Sequence, residues 1–440
     1  MLKTTSAETR YGKETSQLKE AGRKGIMGLQ HVIAMFGATI LVPMITGLNA
    51  TVALFSAGCG TLLFHLVTKG KVPAFLGSSF AFIPVIGAVA SQYGDLRYAQ
   101  GGIMVAGALY LALSLLISVF GVERIKSFFP PVVTGPMIIV IGLTLSPTAI
   151  SMASTNWLIA FIVIITVMIF SIFGKGLFKV IPILCGVVVG YTVAAIMGEV
   201  NYDAINSASM LAIPSFTLPK FSIGAIAMIA PIVLAVFMEH IGDITTNGSV
   251  VGKNFIKDPG LNRTLLGDGL ATLFAGLIGG PPNTTYGENT SVLAVTKNYD
   301  PSILRIAACM AIGLSFIGKV GAVLQTIPQS VMGGVSIILF GMIASVGIRT
   351  LANSDINYSN NRNLIIISLI LVVGIGTEFL NGKQQVINDI MNQGIDLPQE
   401  FVAIKNTKIG ISITDNIQMI GLSLAALIGV IINKLLPENE

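Results

Sequence analysis

Charge is what this 440-residue chain has least of: only 11% of its residues are Asp, Glu, Lys or Arg, where a soluble domain carries about 25%. That scarcity excludes a water-covered globule of this length. Cysteine is nearly absent too. The only three, Cys59, Cys185 and Cys309, lie in apolar runs with no disulfide or metal-ligand spacing, so they are expected to be small core residues. There are three histidines, and no His/Cys/Asp cluster or Gly-rich phosphate loop occurs, which argues against a metal enzyme or an ATPase. The first 25 residues lack an apolar core, so they read as a polar cytoplasmic tail rather than a signal peptide.

What the chain does have is apolar sequence, 53% of residues, with a mean hydropathy of +0.81. Continuous runs of this kind predict an all-α polytopic membrane protein. A transmembrane β-barrel would instead alternate over short segments. Fourteen segments are expected, near 26–46, 51–68, 72–91, 101–120, 131–148, 157–173, 180–198, 223–243, 266–279, 283–297, 303–323, 327–347, 363–380 and 412–435. Threaded with both termini in the cytoplasm, only Arg97, Lys220, Lys319, Lys383, Lys405 and Lys408 of the 26 basic residues fall outside. That asymmetry follows the positive-inside rule. The net charge of +5 therefore needs no nucleic-acid partner. The connections near 199–222 and 381–411 are expected to be long, partly ordered outer loops, and VGAVLQTIPQSVMGG a tight outer helical hairpin.

Fourteen spans divide into seven plus seven, and an odd number per half turns the second half upside down. The third segment of each half is broken, by GSSFAF at 77–82 and by NTTYGEN within GGPPNTTYGENTSVL. Interrupted segments at matching positions in two halves point to a transporter's binding site. Backbone that leaves the helix at membrane depth exposes N–H and C=O groups at a cost of several kcal/mol each, about as much as burying any unpaired amide. It survives only where protein buries it or a cavity hydrates it. Two such breaks offer half-helix N-termini and strand-like edges that can pair, a setting suited to a planar ligand with donors and acceptors.

Four acids within apolar segments stand out: Glu239 and Asp243 in EHIGD, Asp268 in LLGDGLATL, and Glu288 after the Gly287 break. A charge at bilayer depth costs at least about 2.5 kcal/mol, which makes function its default reading. Glu239 and Asp243, four apart, share one helix face, and their repulsion favours holding a proton between them. Asp268, flanked by Gly267 and Gly269, also reads as a helix start. His31 is expected to orient a neighbour by hydrogen bonding, His240 to pack away from the ligand face, and His65 to lie at the interface.

LQHVIAMFGATILVP, KVPAFLGSSFAFI, EHIGD, PNTTYGENTSVLAVTK, IPQSVMGGVSIILFG and INYSNNRNLIIISLILVVGIG occur in that order. Together they resemble the nucleobase–ascorbate transporter family, closest to its bacterial uracil permeases, over nearly the whole chain. The resemblance implies a core domain of spans 1–4 and 8–11, here 26–127 and 223–326. It implies a gate domain of spans 5–7 and 12–14, here 128–222 and 327–436, with tails at 1–25 and 437–440. Spans three and ten would each carry a short antiparallel strand. Glu239 would receive the N–H groups of the base, and Glu288 would add a second carboxylate contact and take part in proton coupling. Backbone at Phe80 and Gly287 and the Tyr286 side chain would frame the pyrimidine, with Ala38 beneath it, and His31, Asn289, Ser79 and Asp268 in support. Asp243 departs from the histidine usual in uracil permeases and matches purine-transporting members, whereas Glu288 and Tyr286 match the uracil type. Uracil and xanthine-type oxopurines therefore both stay open as substrates.

The expectation is a proton-coupled uracil importer of the inner or plasma membrane, a homodimer with no cofactor beyond the coupling proton. An anion exchanger on the same plan would need a positive site, and no deep Arg or Lys occurs here. An enzyme would need a nucleophile–base pair, which the sequence does not display.

Overall fold

The computed structural model describes residues 5–179, 181–392, 398–399, 404, 407, 409–414 and 417–437. The ends of both expected tails, 1–4 and 438–440, and parts of the 381–411 connection lie outside the described residues.

The elements in chain order are α1 (Thr5–Thr46), α2 (Ala50–Val67), β1 (Leu76–Ser78), α3 (Ile83–Tyr93), α4 (Arg97–Phe120), α5 (Val122–Lys126), α6 (Pro131–Thr144) and α7 (Ser146–Ser154). Then come α8 (Trp157–Phe173), α9 (Pro182–Ile196), α10 (Asp203–Ser207), α11 (Ile223–Ile229), α12 (Ile232–Val251), α13 (Leu261–Ile278), β2 (Asn283–Thr285) and α14 (Gly287–Thr296). The chain continues through α15 (Pro301–Ser315), α16 (Gly318–Gln325), α17 (Gln329–Ala352), α18 (Asn361–Asn392), β3 (Ile411–Thr414), β4 (Ile417–Met419) and α19 (Gly421–Leu435). Seven helices are long and apolar enough to cross a membrane, and five shorter apolar helices accompany them among the described residues.

Several boundaries differ from the sequence expectation, each for a local reason. The polar tail from Thr5 onward is helix, the first part of the 42-residue α1. The segment expected at 223–243 is two helices joined at Pro231 and runs on to Val251, because proline lacks the N–H that would continue the ladder. The segment expected at 303–323 is likewise two helices. Ile317 leaves the ladder to pair with Leu211 of the outer connection, and any side chain at Gly318 would strike the carbonyl of Ser209. The last segment begins as a β3–β4 hairpin, so its helix starts at Gly421, whose φ of +55° is comfortable for glycine.

The helices form two groups, each densely packed within itself, that also meet along shared hydrophobic clusters. In one, α4 lies along α13, which also meets α2, and α15 bridges α1 and α2. Small residues allow the close approach: a Cβ on Gly107 would sit 2.5 Å from the backbone nitrogen of Leu273. In the other, α17 packs on α6, α7 and α8, and α18 on α6 and α19. Small residues at helix crossings suit an apolar solvent, where association relies on contact rather than on water exclusion.

Candidate functional site

The paired strands and α12 form the site. β1 runs antiparallel to β2 with Leu76 opposite Thr285, Gly77 opposite Thr284 and Ser78 opposite Asn283. The ladder continues at both ends, since Ser79 N–H donates to Pro282 O at 2.8 Å and Tyr286 N–H donates to Phe75 O at 2.9 Å. Strand pairing in this way satisfies backbone that the broken helices leave free.

Neighbouring helices clasp each strand with a threonine. Thr61 of α2 accepts from Leu76 N–H at 2.9 Å and lies 3.4 Å from the Leu76 carbonyl. Thr272 of α13 accepts from Asn283 N–H at 3.2 Å and donates to the Asn283 carbonyl at 2.8 Å. These two threonines were not among the residues singled out from sequence. A hydroxyl inside an apolar segment was the only available signal, and many such hydroxyls merely bond their own helix.

α12 presents Glu239 and Asp243, both half-buried. Oε2 of Glu239 is buried and makes no hydrogen bond within the chain, and α12 packs against α14, which carries Glu288, and against α13, which carries Asp268. Asp243 Oδ2 lies 3.4 Å from the Thr285 hydroxyl. Glu288 stands in the first turn of α14, where the free N–H groups of a helix start favour an acid. Beside it Gly287 is exposed, and a Cβ there would meet nothing within 4 Å. Gly242 on α12 is equally open, so this face of the site is accessible.

Tyr286 donates its hydroxyl to the Ser78 carbonyl at 3.0 Å and lies 3.4 Å from Thr39 Oγ1. It thereby ties the second break to the first and to α1. Ala38, fully buried, precedes that threonine on α1. Asn289 donates to His31 at 3.1 Å, through both the ring Nδ1 and the backbone carbonyl. Phe80 packs edge-to-face on Phe340 of α17, with ring centroids 6.2 Å apart, and so touches the other helix group. The Ser79 hydroxyl is buried without a partner.

The remaining expectations divide. His240 points away from the open face and bonds Asp268 Oδ2 at 2.8 Å and Thr264 Oγ1 at 3.0 Å. Asp268 is not at a helix start: α13 begins at Leu261, placing the acid in the helix interior, where His240 is its partner. His65 is not interfacial. It is buried, with Nε2 2.9 Å from the Ala74 carbonyl, because the chain after α2 folds back over it. The cysteines are not core residues either: Cys309 is exposed and the other two are half-buried, since an apolar helix face toward lipid need not be covered by protein. Among the described residues no group of three His, Cys, Asp or Glu could hold a metal.

Comparison with known proteins agrees with this architecture. The profile of the Permease family matches residues 23–383. The chain is 40% identical over 431 residues to a "Probable uracil permease" of Haemophilus influenzae, covering 95% of each. It is 41% identical over 432 residues to the "Uracil permease" of Bacillus subtilis, covering 94% of this chain and 92% of that one. Among solved structures, the transmembrane domain of the cyanobacterium bicarbonate transporter BicA superposes with a TM-score of 0.61 at 16% identity, covering 81% of this chain and 95% of that one. That likeness is one of fold alone. A broken-helix site between apolar helices, the matched profile and relatives about 40% identical over nearly the full length lead to one assignment: the chain is a multi-pass membrane protein of the permease family of nucleobase–ascorbate transporters.

Proposed function

We propose that this protein imports uracil together with a proton, by alternating access. The observation that carries the reading is Glu239: a buried carboxylate oxygen without an internal partner, on a helix that packs against the helix of Glu288 and against one of the two paired strands. Uracil offers N1–H and N3–H to such carboxylates, and its O2 and O4 accept from backbone N–H groups. The name uracil permease in the relatives points the same way. In this reading Glu239 takes the N–H groups, Glu288 adds a second acceptor, and Phe80, Tyr286, Gly287 and Ala38 frame the ring. Asn289, His31, Ser79 and Asp268 hold those groups in position.

The proton would ride on the acidic group of Glu239, Asp243 and Glu288. Neutralising one carboxylate lowers the cost of gathering three acids around a neutral base. Each pH unit across the membrane then supplies about 1.4 kcal/mol to accumulation.

The moving parts would be a core of 26–127 and 223–326 and a gate of 128–222 and 327–436, in fourteen spans related as inverted sevens. The matching threonine clasps, Thr61 on β1 and Thr272 on β2, support two related halves. The denser packing within the α2–α4–α13 and α6–α17–α18 groups than between them supports two bodies. Both termini are assigned to the cytoplasm from the distribution of basic residues. A homodimer through the gate faces is what the family resemblance implies.

A second reading, an oxopurine permease, rests on Asp243. The experiment is uptake of labelled uracil and xanthine into proteoliposomes under an imposed pH gradient, for the wild type and Asp243→His. Uracil uptake that collapses with the gradient is expected, and the substitution is expected to sharpen the preference for uracil. Preference of the wild type for xanthine, or uptake indifferent to the gradient, overturns the substrate or the coupling respectively.

A further inference from the structure

Apart from the central site, the two helix groups close on each other along a seam. The seam runs between α3 and α11 on one side and α18 and α19 on the other, and it encloses a cavity of about 30 Å³, room for one or two waters. Its inner wall includes Ala81, the residue after Phe80, so the cavity adjoins the central site. Most of its lining is apolar, from Pro84, Val85 and Met228 to Leu422. Four polar side chains interrupt it: Thr144 of α6, whose hydroxyl is spent on the Val140 carbonyl of its own helix at 2.8 Å, Glu378 and Asn381 of α18, and Ser423 of α19.

Glu378 and Ser423 each carry a feature that packing does not explain. Glu378 sits within the apolar length of α18, where a carboxylate is costly, and it takes a hydrogen bond from Asn381. Any side chain at Gly421 would displace its Oε2. The backbone there is held with φ +55° by the Gly421 N–H donating to Thr377 Oγ1 at 2.8 Å. The Ser423 hydroxyl is buried, the residue 3% exposed, and makes no hydrogen bond within the chain. A buried, unpartnered hydroxyl beside an acid and an amide is a polar set looking for a ligand.

We propose that Glu378, Asn381 and Ser423 form a second, outer binding site for the transported base, occupied when the seam is parted and vacated into the central site as it closes. The proposal rests on the reading of the protein as a uracil carrier. A carboxylate and an amide lining one cavity can match adjacent N–H and C=O groups of a pyrimidinedione, and the Ser423 hydroxyl gives or takes a further bond. Apolar walls on α3 and α19 would flank the ring's faces. At its present volume the cavity excludes a base, so the site belongs to the state in which this side is open.

The test uses the full chain reconstituted in proteoliposomes, with Glu378→Gln, Glu378→Ala and Ser423→Ala. Glu378→Ala is expected to raise the KM for uracil influx about fivefold to tenfold, Ser423→Ala about twofold to threefold, and Glu378→Gln less than Ala. The Kd of purified protein for uracil, dominated by the central site, is expected to move less than about twofold. In a background without the native cysteines, Ser423→Cys is expected to react with an impermeant thiol reagent applied from outside, and uracil is expected to protect it even when Glu239→Ala disables the central site. An unchanged influx KM in both alanine variants overturns the proposal, as does loss of protection with Glu239→Ala. Failure of the wild type to bind uracil at all would instead overturn the substrate assignment.

Discussion

The ring of Tyr286 lies directly on the backbone of Gly77: a Cβ at that glycine would collide with Cε2 and Cζ of the tyrosine and come within 2.8 Å of Thr39 Oγ1. Two residues from opposite halves of the chain thus share one space, and glycine is the side chain that allows it. Gly77→Ala is expected to push the ring off its hydrogen bond to Ser78 and to lower uracil uptake at least about tenfold, the effect of some 1.4 kcal/mol. Uptake assays beside thermal unfolding check this, because a loss of binding with an intact fold is the expected pattern.

Glu239 and Glu288 are expected to fail differently. Glu239→Gln removes a charged acceptor, worth about 1.5–3 kcal/mol in a charge-assisted hydrogen bond, so the Kd for uracil should rise about tenfold to a hundredfold. Glu288→Gln is expected to leave substantial binding but to abolish the response of uptake to an imposed pH gradient. Isothermal titration and gradient-driven uptake on the same preparations separate the two roles. Equal effects of both substitutions on binding and on coupling would contradict this division.

The buried His240–Asp268 contact, 2.8 Å long and 1% and 3% exposed at its two side chains, is structural in this account. Removing one partner of a buried hydrogen bond leaves the other unsatisfied at a cost of about 1–3 kcal/mol or more, so His240→Ala should lower the unfolding temperature. Asp268→Asn, which keeps a hydrogen-bonding group in place, should lower it less. Differential scanning fluorimetry in detergent reads both.

At the start of α15, Asp300 caps the helix by accepting from the Ser302 N–H at 2.9 Å and pairs with Lys24 of α1 at 3.0 Å. Burial works to raise its pKa, but Ser302 and Lys24 outweigh burial and hold the carboxyl down at about 2, from an ordinary 3.8. A depressed carboxylate contributes stability above its unfolded value and loses it as pH falls toward the folded one. Unfolding temperature is therefore expected to fall between pH 4 and pH 2 partly through this group. In Asp300→Asn that part of the pH dependence should vanish. An identical acid profile in wild type and variant would remove Asp300 from the account.

Much of the site was legible residue by residue. A run such as WLIAFIVIITVMIFSIF declares a helix by composition, and α8 occupies that stretch end to end. Glu239, Asp243 and Glu288 stood out because an acid is rare in such surroundings. What was not legible was partnership. Asp268 resembled a helix start until His240 was found beside it, and Thr61 and Thr272 looked like any hydroxyl in an apolar helix until each was seen clasping a strand. Glu378 is visible in the sequence as an acid within the 363–380 segment, but the cavity it lines is not, because its walls come from widely separated parts of the chain.

Sequence alone determined the solvent and the places where helix must stop. Both follow from local chemistry: apolar runs long enough to cross lipid, and glycine, proline and amide clusters that cannot keep the ladder. Tertiary structure alone decided which interrupted stretches pair, in what register, and which carboxylates face one another. Those outcomes depend on backbone groups finding partners across half the chain, and no stretch of sequence read by itself contains that distance.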